Sequence, residues 1–282
     1  MFDRMLVATD LSEASDRVIE ALGGLAALGV KESVLLYCLN LRDAGTLAPR
    51  LMKLTRPALD AQGRKLEEHG FAVTTELALG LPHIEVNRQA EERDCGLVVI
   101  GSHGETGSGR ILLGGVAGAI LHNAVRPLLV IRLKFKDLGD REVCEFLTCD
   151  FRGHVLFPTD FSANAGNAFR SVLGLADVGA AEITLLHVRK PGESPDERVV
   201  DQRLAEMKTD LESRGPMRVN VESREGNPKK EIVERVNQGD ISLVVMGSQG
   251  RGYVAEFFLG SVSHEVARRS KTAPVLLIPA GY

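Results

Sequence analysis

The 282-residue chain has few cysteines, no long apolar run and no excess of basic charge. Its four cysteines form neither a CxxC pair nor a spacing typical of structural zinc, which disfavours a disulfide framework or a zinc module. No apolar stretch reaches membrane-spanning length, and the apolar run near the N-terminus is too short for a signal peptide. We therefore expect a cytoplasmic protein that does not contact a membrane.

Charge of either sign is also not in marked excess. The chain carries 34 basic and 38 acidic residues, for a formal net charge of -4, and the two signs are interspersed. Without a basic face to neutralise phosphodiesters, nucleic acid is not an expected partner. With 44% hydrophobic and 26% charged residues, the composition is typical of a globular protein, and the length suits two domains.

An internal repeat runs through the sequence. MLVATDLS at 5–12 recurs as VLFPTDFS at 155–162, and LVVIGSHG at 97–104 recurs as LVVMGSQG at 243–250. The repeat places Asp10 opposite Asp160 and Gly101 opposite Gly247. It predicts two domains, 1–133 and 153–282, joined by a linker at 134–152 that has no counterpart in either half.

Each half contains five short runs rich in Val, Ile and Leu, separated by segments with helical periodicity. This alternation is typical of βαβ units around a buried parallel sheet. The sequence therefore predicts an α/β fold with two tandem, doubly wound, five-stranded parallel sheets. The second-half strands are predicted at 154–158, 182–188, 218–224, 241–246 and 274–279.

The last strand of each half, 127–132 and 274–279, is rich in Leu and Val. Such a strand would be prone to aggregation if its edge were open. We therefore expect the two halves to pack as an intramolecular pseudo-dimer through these strands. Closed two-fold association is common among oligomers, so a homodimer of the whole chain is a further expectation.

One aspartate ends the first strand of each half, at the sheet edge where α/β proteins bind ligands. If the ligand is a nucleotide, its negatively charged phosphates would repel a carboxylate. We therefore place Asp10 and Asp160 at the nucleoside end of such a ligand, with Thr9 and Thr159 beside them. The alternative is a turn or helix-cap role ahead of Ser12 and Ser162. Recurrence in both halves favours binding.

Glycines follow the fourth strand with the spacing G-x2-G-x9-G-[ST], at Gly247, Gly250, Gly260 and Ser261. Glycine has no side chain, so a ligand can approach its backbone closely. The last glycine precedes a predicted helix, and the free amides and dipole at the start of a helix attract anions. A single glycine loop would indicate only a turn. The whole spacing predicts a phosphate site.

Rival nucleotide motifs are missing. No GxxxxGK[ST] string occurs, and the turn after the first strand has no GxGxxG. The seven histidines are scattered without HxH or HExxH spacing, so no protein metal site is predicted.

On these motifs the chain resembles a tandem member of the universal stress protein family, over everything except the linker. The resemblance implies a Rossmann-like fold of the adenine nucleotide alpha hydrolase-like type. It also implies binding of an adenine nucleotide, ATP or AMP, and leaves open whether Mg²⁺ accompanies it.

The resemblance assigns nucleotide contacts to matching positions, and it assigns the adenine contact to the backbone of a residue in the second strand. In the second half these are Pro158, Thr159, Asp160, Val188, Met246, Gly247, Gln249, Gly250, Gly260, Ser261, Val262 and Ser263. In the first half they are Thr9, Asp10, Cys38, Gly101, His103, Gly104 and Gly114. Within this resemblance His103 lies by the phosphates, although a solvent-facing loop histidine is an equal alternative.

The first half departs from the family pattern. Gly115 stands where the family has Ser or Thr, and Ala117 replaces the residue equivalent to Ser263. Two hydroxyl donors are therefore missing, and we expect weaker binding in this half.

The function expected from the sequence is nucleotide binding by a regulatory stress-response module that acts on an unidentified protein effector, without catalytic residues. One alternative is an interaction scaffold with a vestigial nucleotide site. Another is a slow ATPase. Efficient hydrolysis needs a positioned base and usually Mg²⁺ near the γ-phosphate, and the glycine loops carry no recurring acidic pair.

Overall fold

The computed structural model describes residues 2–41, 45–102, 114–137, 142–146, 150–192, 197–250 and 259–282. The chain divides into two compact units, Phe2–Thr148 and Cys149–Tyr282. Each unit is built on five parallel strands with helices between them, so the predicted α/β class is confirmed.

The first unit contains five parallel strands in the order β3-β2-β1-β4-β5. The strands are β1 Arg4–Thr9, β2 Glu32–Asn40, β3 Ala72–Gly80, β4 Leu97–Gly101 and β5 Leu128–Ile131. Its described α-helices are α1 Glu13–Ala21, α2 Ala48–Glu68, α3 Pro82–Glu92 and α4 Gly115–Asn123. Short 3-10 helices span Leu22–Leu28 and Gly45–Leu47.

A two-stranded antiparallel sheet follows β5. It consists of β6 Leu133–Asp137 and β7 Glu142–Phe146, with Leu133 opposite Phe146. These strands lie in the segment that the sequence predicts as a linker, and they belong to the first compact unit.

The second unit repeats the arrangement, with strand order β10-β9-β8-β11-β12. The strands are β8 His154–Thr159, β9 Glu182–Arg189, β10 Arg218–Glu225, β11 Leu243–Gly247 and β12 Val275–Ile278. Its described helices are α5 Ala163–Asp177, α6 Glu197–Glu212, α7 Pro228–Val236 and α8 Ser261–Arg269.

The central strands are buried on both faces, as expected when helices cover a parallel sheet. All five residues of β11 and five of the six in β8 are buried. Continuous Val, Leu and Ile runs form these strands because both sets of alternating side chains face apolar neighbours. Within the described ranges, no helix has the length and apolar character needed to cross a bilayer.

The direction of strand addition reverses once in each sheet. In the second unit the chain proceeds outward from β8 to β9 and β10, then returns to the other side of β8 with β11 and β12. At such a switch point, the loops that follow two neighbouring strands run in opposite directions. They leave a crevice between them at the carboxyl ends of the strands. The crevice of the second unit therefore lies beyond β8 and β11, where Asp160 and Gly247 are found.

Candidate functional site

The turn after β8 is held by its own polar groups. Phe161 has a left-handed backbone with φ of 59°, which is unusual for a residue with a side chain. The Thr159 hydroxyl oxygen accepts from the Phe161 amide at 3.1 Å, and Asp160 Oδ1 accepts from the Ser162 amide at 3.0 Å. Ser162 then caps α5 by accepting from the Ala165 amide. The carboxylate thus makes the turn contact, and a carboxylate has further acceptor capacity for a ligand.

The glycine loop after β11 comes very close to that turn. A Cβ atom on Gly250 would lie 2.7 Å from Asp160 Oδ2, a distance that real Cβ contacts do not reach. A Cβ atom on Gly260 would lie 3.2 Å from the Ser248 carbonyl oxygen. The Gly260 amide donates to that same carbonyl at 2.6 Å. Glycine at these positions brings three segments of backbone together at one edge of the sheet.

Helix α8 begins at this convergence. Its N-cap, Gly260, is extended, with φ of -69° and ψ of 147°, and makes no side-chain cap. The first-turn amides of Ser261, Val262 and Ser263 have no acceptor inside the helix, because the ladder begins one turn later. Ser261 is exposed and Val262 is half-buried. These donors and the positive end of the dipole form a cradle suited to an anion.

Ser263 is turned inward. Its side chain is buried, and its hydroxyl donates to the Gly247 carbonyl at 2.8 Å. This bond fixes the first turn of α8 to the end of β11. The hydroxyl hydrogen is therefore directed at the protein, whereas the resemblance implies a nucleotide contact.

Asn164, which the sequence analysis did not select, lies against the same strand end. A Cβ atom on Gly247 would be 2.9 Å from Asn164 Nδ2. That Nδ2 donates to the Gln249 carbonyl at 3.3 Å, while the buried Oδ1 has no hydrogen-bond partner among the residues that the structure describes. A position-by-position comparison of the two repeats shows the signal, because Ala14 stands opposite Asn164.

The other side of the turn carries a stack of rings. Thr159 pairs in register with His187, whose Nδ1 lies 2.9 Å from the Thr159 carbonyl oxygen. The His187 and Phe161 ring centroids are 4.8 Å apart, and the Arg203 guanidinium lies over the Phe161 ring at 5.6 Å. Val188 follows directly and is half-buried. The backbone predicted to contact a base is thus placed beside Thr159 and Asp160.

A pocket of about 220 Å³ opens beside this stack. Its lining is polar and comes from β9, β10 and α6, namely His187, Arg189, Glu197, Val200, Asp201 and Ser223. Hydrogen bonds to Glu197, and to Glu225 at 2.8 Å, raise the pKa of Arg189 and keep its guanidinium charged. The remaining two predicted residues, Pro158 and Met246, are buried in neighbouring strands behind the crevice.

The equivalent aspartate of the first unit, Asp10, also holds the turn that follows its strand. Asp10 Oδ1 accepts from the Ser12 amide at 3.1 Å, the Ser12 hydroxyl at 2.5 Å and the Ser15 hydroxyl at 2.6 Å. The repeat places Ala165 opposite Ser15, so the third of these bonds has no equivalent in the second unit. Leu11, with φ of 64°, repeats the left-handed turn of Phe161.

Two other predicted residues of the first unit sit near that turn. The Thr9 hydroxyl donates to Gln62 Oε1 at 2.7 Å. Tyr37 pairs in register with Thr9, so Cys38 occupies the place of Val188. Burial raises the pKa of the Cys38 thiol to about 11, which keeps it neutral.

The remaining first-unit residues flank the end of β4. Gly101 ends that strand, and the Gly114 amide donates to the Ser102 carbonyl at 3.1 Å, as Gly260 does to Ser248. Ala117 is buried at the position of Ser263 and supplies no hydroxyl. His103 and Gly104 lie outside the described residues.

The fold and site define a tandem α/β protein with a glycine-lined crevice at the switch point of its second sheet. The family model described as the universal stress protein family matches residues 1–132 and 152–279. The chain belongs to the universal stress protein family, as the sequence motifs predict.

Individual relatives agree with this assignment. A universal stress protein of Mycolicibacterium smegmatis is 29% identical over 225 residues, which cover 75% of this chain and 70% of the relative. One from Methanocaldococcus jannaschii is 26% identical over 157 residues, covering 48% of this chain and 97% of the relative. The crystal structure of a universal stress protein from Archaeoglobus fulgidus has a TM-score of 0.79 and 26% identity, and the match covers 99% of each chain.

Proposed function

We propose that the second unit binds an adenine nucleotide, ATP or AMP, and serves as a regulatory module of the stress response. The observation that carries this proposal is the convergence of the Asp160 carboxylate, the 247–250 loop and the start of α8 at the switch point. A nucleotide needs an acceptor for its sugar or base, close backbone approach and an anion cradle. These three requirements are met within one crevice.

The residues fit such a ligand in a definite order along the crevice. The amides of Ser261 and Val262, with the exposed Ser261 hydroxyl, would hold phosphate oxygens at the start of α8. Gly250 permits the ligand to approach the loop backbone closely. Asp160 and the Val188 backbone would hold the nucleoside end, away from the phosphates, because like charges repel.

Magnesium has no protein ligands in this proposal. Among the residues the structure describes, no group of three or more His, Cys, Asp or Glu side chains is arranged to hold a metal ion. Any Mg²⁺ would therefore arrive with the phosphates. We propose binding without a hydrolytic step.

The first unit is proposed to bind nucleotide more weakly and to serve mainly as a scaffold. Asp10 Oδ1 accepts a hydrogen bond from the Ser15 hydroxyl, and the repeat places Ala165, which has no hydroxyl, at the equivalent position of the second unit. Gly115 and Ala117 also lack the hydroxyls of Ser261 and Ser263.

Replacing Ser261 by proline tests the anion cradle. Ser261 is the first residue of α8, where proline is compatible with a helix, and the preceding Gly260 already has the extended backbone that proline requires. The substitution therefore removes the Ser261 amide donor together with the Ser261 hydroxyl, and it leaves the helix intact. Since hydrogen bonds to charged groups contribute roughly 1.5–3 kcal/mol, we expect ATP affinity to fall about tenfold or more in isothermal titration.

Gly115→Pro is the matched control, because Gly115 occupies the same position in α4 after the extended Gly114. It should leave the tight site unchanged, and Ser261→Ala should weaken binding less than Ser261→Pro. Loss of tight binding in Gly115→Pro, with Ser261→Pro behaving as wild type, would move the site to the first unit. Equal affinity in all variants would refute phosphate binding at these helix starts.

A further inference from the structure

We propose that Asn164 is a positioning residue that aims the Gly250 amide into the phosphate site; this inference rests on the proposed nucleotide function. Asn164 lies at the second position of α5, and its Nδ2 would be only 2.9 Å from a Cβ atom on Gly247. Its Nδ2 holds the carbonyl of Gln249 at 3.3 Å. The Asn164 side chain of α5 thus forms a hydrogen bond with the loop that follows β11.

This hydrogen bond also determines the direction in which the Gly250 N–H points. The carbonyl of Gln249 and the amide of Gly250 belong to one planar peptide unit and point in opposite directions. Holding the carbonyl toward Asn164 therefore turns the Gly250 N–H away from α5. The Gly250 nitrogen lies 3.6 Å from the position that a Cβ atom on Gly260 would occupy, beside the first turn of α8. The Gly250 amide consequently joins the donors at the helix start.

Stability alone does not explain an asparagine here. Asn164 is 8% exposed, and its buried Oδ1 has no partner among the described residues. A buried acceptor without a hydrogen bond destabilises a fold and offsets what the Nδ2 bond contributes, and alanine would remove both groups. The first unit has alanine at this position, Ala14, and the strand–turn–helix geometry is retained there. We therefore assign Asn164 a role in the proposed nucleotide binding, which we propose to be weaker in the first unit.

The test is Asn164→Ala in the full chain, with ATP and adenosine titrated in parallel and unfolding followed in urea without ligand. We expect the Kd for ATP to rise about tenfold, because a phosphate donor is misdirected, and the Kd for adenosine to change by less than about twofold. The urea midpoint should change little, because the loss of the Nδ2 hydrogen bond is offset by removal of the buried Oδ1. Asn167→Ala is the control, since Asn167 also lies in α5 and donates to the Ala280 carbonyl at 3.1 Å.

Asn164→Asp provides a second variant of nearly the same shape. It places an acceptor against the Gln249 carbonyl, so ATP affinity should fall at least as much as in Asn164→Ala. Unchanged ATP affinity in both variants, or equal losses for ATP and adenosine, would overturn the role of Asn164 while leaving nucleotide binding intact. A wild-type chain that binds no ATP would overturn the proposed function and this inference with it.

Discussion

Single residues separate the two units more clearly than their folds do. Ser263 and Ala117 occupy the same place in the repeat, at the third position of α8 and α4. In the second unit the buried hydroxyl ties the helix to Gly247, and in the first unit the alanine makes no such bond. Ser263 therefore fixes the position of the first turn of α8 relative to the end of β11.

Ser263→Ala should lower the free energy of unfolding by about 1 kcal/mol, because a buried hydrogen bond is lost. Urea denaturation measures this change. ATP affinity should fall less than in Ser261→Pro, since every amide of the helix start remains. Unchanged stability combined with a larger loss of ATP affinity would mean that the Ser263 hydroxyl contacts the ligand directly.

Among the elements of the second unit, α7 is joined to the sheet by a buried arginine. Arg235 donates to both carboxylate oxygens of Asp240, at 2.7 and 3.0 Å, and to Glu222 at 2.8 Å. His154 Nδ1 lies 3.3 Å from Asp240 Oδ2. The hydrogen bonds from Arg235 hold the pKa of Asp240 below its ordinary value of 3.8. The ionised Asp240 thus helps to hold Arg235 in place, and Arg235 joins α7 to Glu222 of β10.

Asp240→Asn should reveal this link through pH. A carboxyl group whose pKa is lowered by folding stabilises the protein above its unfolded pKa, and the contribution disappears as pH falls through the folded value. We expect the variant to be less stable than wild type near neutral pH. The difference should shrink below about pH 4 and vanish at lower pH.

Urea unfolding at a series of pH values measures the difference. Glu234→Gln, which alters an exposed pair with Lys230, should have little effect at any pH. A stability difference for Asp240→Asn that is the same at every pH would contradict the assignment.

The elements themselves follow closely from the sequence. The strand predicted at 241–246 is observed at Leu243–Gly247, and the helix predicted after Gly260 begins at Ser261. Continuous apolar runs bounded by glycine identify such elements well, because burial on both faces leaves little choice of residue. The strands β6 and β7 were not predicted, although Leu133 and Phe135 alternate with lysines. That segment has no counterpart in the repeat, so the repeat gives no indication of its structure.

The site was only partly accessible to the same reasoning. Glycine spacing located the convergence of loop and helix, since glycine is required where backbones approach closely. The partners of those glycines could not be deduced from spacing. That Asn164 packs on Gly247, or that Ser263 bonds inward, depends on side-chain directions across different elements.

For the whole molecule, the differences between the units predict one tight nucleotide site in each 30.5 kDa chain. Isothermal titration with ATP should give a stoichiometry near one, with any second event at least about tenfold weaker. The reason is that the first unit lacks hydroxyls equivalent to those of Ser261 and Ser263, and that Asp10 accepts from the Ser15 hydroxyl, for which the second unit has alanine. Two equal sites would show that these substitutions do not weaken binding.

The left-handed turn shared by Leu11 and Phe161 bears on the history of the molecule. A residue with a side chain gives up roughly 1–2 kcal/mol in this conformation, yet both units retain it without a glycine. Three positions further on they differ, with Ala14 opposite Asn164. If one ancestral gene segment was duplicated, the costly bend was inherited by both copies, and the residues around it diverged afterwards. The backbone turn at the crevice is then older than the sequence differences between the two units.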